Sequence, residues 1–251
     1  MVEGVTHDAF LGGRLVLAQP RKGYRAGVDP VLLAASLPAV AGQRVLDLGC
    51  GVGAAGLCLA ARVPGVQVWG LEVQAEYAAL ARENAAALGG AMQVVSGDLA
   101  AMPAALREMQ FDHVIANPPY FLRGASVGAP DAGRERAMGE ATPLADWVRV
   151  AAKRVAQGGY VTFIQRAERL PELMGLMQAH LGSLQLLPLI PRVGREAQLV
   201  LLRGRKGGRA DFRLLAGLEM HQGAVHEGDF EDYSPLMREI LRNGAALPFP
   251  A

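Results

Sequence analysis

The sequence predicts an α/β fold: a doubly wound, seven-stranded mixed sheet that closes with an antiparallel hairpin at one edge. Three observations predict it. From Arg44 onward, short apolar runs alternate with Ala-rich or amphipathic stretches. The runs are apolar on both faces, as strands covered by helices on either side must be. The last two runs are separated only by residues 191–196, too few for a crossover helix, so that pair is antiparallel.

The elements follow in order. Strands are expected at 44–48, 66–73, 92–95, 111–116, 159–165, 184–190 and 197–202, and helices at 54–62, 74–88, 144–156 and 168–181. In the stretch 144–156, Leu144, Trp147, Val148, Ala151, Ala152 and Val155 recur at helical spacing, an apolar stripe that faces a core. Ahead of the first strand, RKGYRAGVDPVLLAASLP reads as a glycine-rich basic loop followed by a short apolar helix. The division expected is a cap over 1–43, the main α/β unit over 44–206, and an acidic tail over 207–251. That tail holds one short amphipathic candidate, SPLMREILRNG. The segment 123–141 has no periodicity and many small residues, the mark of a long loop beside a site.

Composition narrows the class. The 251 residues suffice for one sizeable domain, the mean hydropathy is +0.19, and no apolar run approaches the length of a membrane span. The segment MVEGVTHDAF lacks the apolar stretch of a secretory signal. Two cysteines, Cys50 and Cys58, sit in a Gly/Ala-rich stretch without metal-ligand spacing, so a reducing, cytoplasmic setting without a metal is expected. Net charge is +1, but the tail is acidic, which leaves 22 bases against 17 acids in residues 1–209 and permits a basic face.

The stretch VLDLGCGVGAAG, residues 45–56, is a strand, a glycine turn and a helix start. Gly49, Gly51 and Gly53 bring a ligand close to bare peptide groups. Residues 51–56 are a literal GxGxxG, which suits a dinucleotide pyrophosphate on a helix N-terminus. Asp47, just ahead of the glycines, argues otherwise: a carboxylate repels a pyrophosphate but accepts hydrogen bonds from a cationic, amino-bearing ligand. S-adenosyl-L-methionine carries a sulfonium and an α-ammonium, so the acid favours it. Glu72 closes the second strand and has the geometry to accept both ribose hydroxyls of a nucleoside cofactor. Asp98 follows the third strand and could accept from the adenine amino group, although an aspartate after glycine is also an ordinary turn residue. Together these acids mark the carboxyl edge of the sheet, where ligands of open α/β folds bind.

The fourth strand, FDHVIA, delivers Asn117, Pro118, Pro119 and Tyr120 to that same edge. An amino nitrogen conjugated to a ring is a poor nucleophile. Two acceptors, the Asn117 side-chain oxygen and the Pro118 carbonyl, could hold both of its N–H groups and aim the lone pair. Proline sets the carbonyl direction in advance, and Tyr120 could stack on a planar base taken out of its stack.

Asp-x-Gly-x-Gly-x-Gly followed by Asn-Pro-Pro-Tyr resembles the S-adenosylmethionine-dependent amino methyltransferases with a seven-stranded sheet. With the block GYRAGVD, residues 23–29, the chain resembles the bacterial tRNA(Val) N6-adenine methyltransferase family over roughly residues 10–205. The resemblance implies a Rossmann-like class I methyltransferase that methylates the exocyclic amine of the adenine beside the anticodon of a tRNA. It implies Asp47, Gly49, Cys50, Gly51, Gly53, Glu72 and Asp98 at the cofactor, and Asn117, Pro118, Pro119 and Tyr120 at the amine. It places Tyr24, Arg25 and Asp29 at the methionine end of the cofactor or at the substrate entrance. The sequence departs from the family in Arg134-Glu-Arg-Ala-Met, which stands where Arg-x-x-Ala-Arg/His is expected.

Two rivals are a release-factor glutamine methyltransferase, which would need a helical domain in the short segment before Arg44, and an NAD-linked oxidoreductase built on the literal GxGxxG. A catalytically idle RNA-binding scaffold is a weaker third, against which the intact Asp47 and Asn117 argue. The run RGRKGGR, residues 203–209, is read as either a phosphate-binding surface or a solvated strand end. The five histidines read as ordinary surface or core residues.

Overall fold

A computed structural model describes residues 4–122, 139–140, 142–226, 228, 231–247 and 249. The chain begins with a hairpin of β1 (Val5–Phe10) and β2 (Leu15–Pro20), followed by helix α1 (Asp29–Ala35). Then come β3 (Arg44–Leu48), α2 (Ala54–Arg62), β4 (Gln67–Glu72), α3 (Ala75–Ala87), β5 (Met92–Ser96), the short α4 (Ala104–Arg107) and β6 (Phe111–Ala116). Strands β7 (Phe121–Leu122) and β8 (Gly139–Glu140) pair in parallel with each other. The remainder is α5 (Leu144–Arg154), β9 (Val155–Arg166), α6 (Leu170–Gln178), β10 (Gly182–Ile190), β11 (Leu199–Arg205), β12 (Arg213–Leu214), β13 (Leu218–Glu219) and α7 (Pro235–Arg238).

The main sheet runs β12-β10-β11-β9-β6-β3-β4-β5, with β13 also paired to β10. Strands β3, β4, β5, β6 and β9 are mutually parallel, and β11 lies antiparallel between β9 and β10. The expected doubly wound mixed sheet with an antiparallel edge hairpin is therefore present. Among the described residues it has nine strands rather than seven: β12 and β13 extend the edge beside β10. Each is two residues long, too short to show a period in the sequence.

Two cores flank the sheet. One, from Leu46, Phe111, Val114, Phe163 and Leu202, is covered by α5 and α6. The stripe read from the sequence does this: Leu144, Trp147, Val148, Ala151 and Ala152 are all buried there. The other core, from Val45, Ile115, Ile164 and Leu201, lies under α1, α2, α3 and the β1–β2 hairpin. Helix α1 has Pro30 in its first turn, where the missing N–H costs nothing, and every residue from Pro30 to Ala35 is buried.

The ends of the chain meet on this second side. Met237, Ile240, Leu241, Leu247 and Phe249 lie in the same core as Leu11, Leu17 and Leu32, and Leu247 N donates to the Ala35 carbonyl at 2.9 Å. Arg14 donates to the carbonyls of Asn243 at 2.9 Å and Ala61 at 3.1 Å. The apolar face of SPLMREILRNG is thus spent on closing this core.

Of the two readings of RGRKGGR, the strand end is the one the fold contains, although its first arginine is interior rather than solvated. Strand β11 continues through Arg205, and Arg203 is 1 % exposed. Its guanidinium lies 5.0 Å from the Tyr160 ring and 4.2 Å from the Phe249 ring, and it donates to Gln185 Oε1 at 2.7 Å. Burial lowers its pKa to about 10. Arg205 and Lys206 donate to the carbonyls of Gly158 and Ala152 at 2.9 and 2.8 Å. Because β11 is antiparallel to β9, this end of it lies at the amino edge of the parallel strands, opposite Asn117.

The histidines divide. Histidine 113 is buried, stacked on Tyr160 and 3.1 Å from Gln43 Oε1; desolvation lowers its pKa to about 4, which keeps it neutral. His221 and His226 share the carboxylate of Asp232 through their Nδ1 atoms, at 2.6 and 2.7 Å, and Arg192 donates to the same carboxylate. That pairing across 192–232 was not legible in the sequence.

Candidate active site

The strand order places the predicted site residues in a row. Strands β5, β4, β3 and β6 are parallel neighbours, so Asp98, Glu72, Asp47 and Asn117 follow one another across the carboxyl edge. Asp47 pairs in register with Gly70 on one side and Ile115 on the other, one residue before β3 ends.

The glycine turn has the backbone its composition demands. Gly49, Gly51 and Gly53 lie at φ +64°, +57° and +86°, values that favour glycine. Gly49 also lacks room. A Cβ there would stand 2.4 Å from Cη2 of Trp147, whose ring on α5 packs against the turn. Gly49→Ala therefore combines left-handed strain with overpacking. We expect it to cost at least about 2 kcal/mol, read as a lowered unfolding midpoint in denaturant. Gly51 is open by contrast: an added Cβ would meet only the Tyr24 ring, at 4.0 Å.

The two inner acids hold this turn. Asp47 is 2 % exposed and its Oδ2 accepts from Gly56 N at 3.1 Å, which ties the strand end to the first turn of α2. Glu72 is 5 % exposed; one oxygen accepts from Gly51 N at 2.9 Å and the other from Gln74 N at 2.8 Å. Desolvation pushes the Asp47 pKa up to about 7, against the Gly56 hydrogen bond and with help from the Glu72 charge. Burial also raises Glu72, opposed by its backbone donors, and holds the Cys50 thiol protonated well above its usual range. Among the described residues these two buried carboxylates have only backbone donors, and buried carboxylates of this kind are costly and persist where a cation can meet them. Asp98 differs. It is exposed two residues past β5, and its Oδ1 accepts from Ala100 N at 2.8 Å, closing a local turn.

At the end of β6, Pro118 is buried while Asn117, Pro119 and Tyr120 are half-buried. The Asn117 amide nitrogen donates to the Tyr24 hydroxyl at 3.2 Å, and the Tyr120 hydroxyl donates to Asp29 Oδ2. The block at 23–29 is thus attached to both ends of Asn-Pro-Pro-Tyr. Desolvation and the nearby Asp29 raise the pKa of both tyrosines, so both hydroxyls stay protonated. Asp29 is itself raised by burial, with its Tyr120 hydrogen bond and the Arg166 charge opposing. Arg25 points elsewhere. It pairs with Asp8 at 2.6 Å and donates to Thr6 Oγ1 and the Pro20 carbonyl, fastening the β1–β2 hairpin.

Four contributors escaped the sequence reading. Trp147 backs Gly49. The Tyr77 hydroxyl holds the backbone of Tyr24, accepting from its N at 2.9 Å and donating to its O at 3.2 Å. Asn84 accepts from Ala18 N at 2.7 Å and donates to the carbonyls of Ala18 and Val52, joining the hairpin to the glycine turn. Arg166, at the end of β9, brings positive charge to Asp29 and lines a groove of about 710 Å³ with the 191–198 turn. The departure at Arg134-Glu-Arg-Ala-Met and most of the 123–141 loop lie outside the described residues.

The sheet order, the glycine turn with its acids and the Asn-Pro-Pro-Tyr edge define a class I methyltransferase. A family model described as "Methyltransferase small domain" matches residues 26–131. The chain is 33% identical over 179 residues to the tRNA1(Val) (adenine(37)-N6)-methyltransferase of Porphyromonas gingivalis, covering 66% of this chain and 68% of that protein. It is 30% identical over 192 residues to the protein of the same name from Aeromonas hydrophila, covering 74% and 79%. The chain belongs to the tRNA1(Val) (adenine(37)-N6)-methyltransferase family. Among solved structures, a predicted O-methyltransferase from Agrobacterium tumefaciens superposes with TM-score 0.70 and 29% identity, over 87% of this chain and 98% of that one. The 16S rRNA N2 G1207 methyltransferase of Thermus thermophilus, solved with AdoMet and guanosine, superposes with TM-score 0.57 and 23% identity, over 80% and 50%. This second likeness concerns the fold.

Proposed function

We propose that the protein transfers a methyl group from S-adenosyl-L-methionine to the N6 amine of an adenine in tRNA, the adenine beside the anticodon of a valine tRNA. The observation that carries this is the juxtaposition at one sheet edge of a cation-ready acid pair, Asp47 and Glu72, with the Asn117–Pro118 acceptors. The family gives the substrate.

The residues fit the cofactor. Gly51 offers bare backbone with open space above it, Asp47 is a buried acceptor for the α-ammonium end, and Glu72 keeps lone pairs for ribose hydroxyls beyond those spent on Gly51 and Gln74. Asp98, exposed just past the next strand, would accept from the adenine amine with the oxygen that Ala100 N leaves free. Gly49, Gly53 and Cys50 shape the turn, and Tyr24 and Asp29 stand between it and the acceptor side. The cofactor, when bound, supplies an electrophilic methyl on a sulfonium.

The chain then orients the acceptor. Asn117 Oδ1 and the Pro118 carbonyl accept the two N–H groups of the adenine amine, so the lone pair points at the methyl carbon. Pro119 fixes the turn, and the Tyr120 ring stacks on the base, which must leave its own stack to arrive. The amine proton is shed once nitrogen carries the methyl, when it is strongly acidic, so the residues need only position and polarise. No described helix is long and apolar enough to cross a membrane; we place the protein with its tRNA substrate in the cytoplasm.

The test offers the protein labelled S-adenosylmethionine with unmodified tRNA, DNA and a release factor in parallel, and digests the products. N6-methyladenosine from tRNA alone is the expected result. Label in methylglutamine, in DNA or on a hydroxyl would overturn the substrate assignment.

A further inference from the structure

The side chain that orients the amine is a primary amide, and an amide has a wrong way round. With Oδ1 toward the acceptor amine it accepts a hydrogen bond. Flipped by 180°, it presents Nδ2–H to an N–H and repels it. The two orientations fill nearly the same volume, so packing alone does not choose between them. Proline at 118 and 119 fixes the backbone but leaves the amide torsion of Asn117 free.

We propose that Tyr24 is a positioning residue that sets the flip of the Asn117 amide, so that Oδ1 meets the acceptor amine; this rests on the amine-methylating function proposed above. The Tyr24 hydroxyl lies 3.2 Å from Asn117 Nδ2 and accepts from it. A phenol can accept or donate; here burial and the charges of Asp29 and Asp47 keep the hydroxyl protonated, and the bond runs from Asn117 Nδ2 to its oxygen.

Tyr24 is in turn held in place from behind. Both backbone polar groups of Tyr24 engage the Tyr77 hydroxyl, and Tyr77 is buried on α3. A second bond, from Tyr120 to Asp29, fastens the far end of the motif to the same block. The block at 23–29 thus acts on both ends of the Asn-Pro-Pro-Tyr motif.

The test is Tyr24→Phe in two backgrounds. In the wild-type background we expect kcat on tRNA to fall about tenfold, with KM for S-adenosylmethionine within about twofold, since an orienting contact acts on the chemical step. Asn117→Asp makes the side chain symmetric: either oxygen accepts, and there is no flip to set. There, Tyr24→Phe should change the remaining kcat less than about twofold. An equal loss in both backgrounds, or a raised KM for the cofactor with kcat intact, overturns the proposal.

A second readout does not depend on activity. In protein labelled with ¹⁵N-asparagine, the Asn117 side-chain pair is the one missing from Asn117→Ala. Tyr24→Phe should move that pair and speed its exchange with solvent; an unchanged pair contradicts the contact. If the wild type transfers no methyl to tRNA, the function proposal fails by itself, and this readout still decides the role of Tyr24.

Discussion

Asn117→Ala lowers kcat about 100-fold or more while S-adenosylmethionine binds with unchanged affinity. The variant removes the acceptor proposed to act on the reacting amine, and losing one such preorganised group typically costs about two to three orders of magnitude in rate. Binding is expected to be spared because Asn117 follows β6, while the residues proposed to hold the cofactor lie on β3, on β4 and beyond β5. Alanine also frees the Tyr24 hydroxyl, but the Tyr24 backbone keeps both of its bonds to the Tyr77 hydroxyl, so the fold should be retained. Single-turnover rates with saturating cofactor, beside calorimetric titration, separate the two effects. A weakened cofactor site with normal single-turnover chemistry would mean that Asn117 belongs to the other half of the site.

Asp47→Asn is expected to do two opposite things. The carboxylate is buried, its pKa is pushed up to about 7 by desolvation, and the Glu72 charge adds to the rise. Its folded pKa thus lies above the value of about 3.9 in the unfolded chain. The folded state binds the proton more tightly between those values, so ligand-free stability falls as pH rises from about 4 to about 7 and is level above that. Asparagine keeps an acceptor for Gly56 N and carries no charge. The ligand-free variant should therefore be more stable than the wild type at pH 8, by on the order of 2–4 kcal/mol, with no difference at pH 4.

Cofactor binding should move the other way. The cation prefers ionised Asp47, so wild-type affinity should fall by up to tenfold per unit as pH drops below about 7. Asp47→Asn should weaken binding about 10–100-fold at pH 8 and remove that part of the pH dependence. Denaturant midpoints and titrations across pH 5–8 check both signs. Equal pH slopes in variant and wild type would show that Asp47 does not meet the cation.

Most of the sheet was legible because its strands are apolar on both faces and its helices carry a stripe. The helix boundaries 54–62 and 144–156 agree with α2 and α5 to within two residues. The β1–β2 hairpin was not legible. Its turn rests on Leu11 at φ +49° with Gly12 and Gly13, not on an Asn-Gly or Asp-Gly pair, and its strands are six residues each with mixed patterning. The RGRKGGR run could be read two ways because glycine and charge suggest a loop, whereas sheet pairing with β9 carries Arg203 into the interior.

The acids at the strand ends could be read because position along a parallel strand already fixes which edge a residue occupies. What each side chain does there depends on partners far away in sequence. Glu72 meets Gly51, Tyr24 meets Asn117, Asp29 meets Tyr120, and Trp147 meets Gly49. None of these pairs leaves a local pattern, and Trp147 was visible only as one member of a core stripe.

The most direct test of the central claim is the modification state of valine tRNA in cells of the source organism that lack this protein. Mass spectrometry of the isolated tRNA should find unmodified adenine beside the anticodon in the deletion strain. Wild-type protein should restore N6-methyladenosine there, and Asn117→Ala should not. Full methylation in the deletion strain, or restoration by Asn117→Ala, would contradict the account.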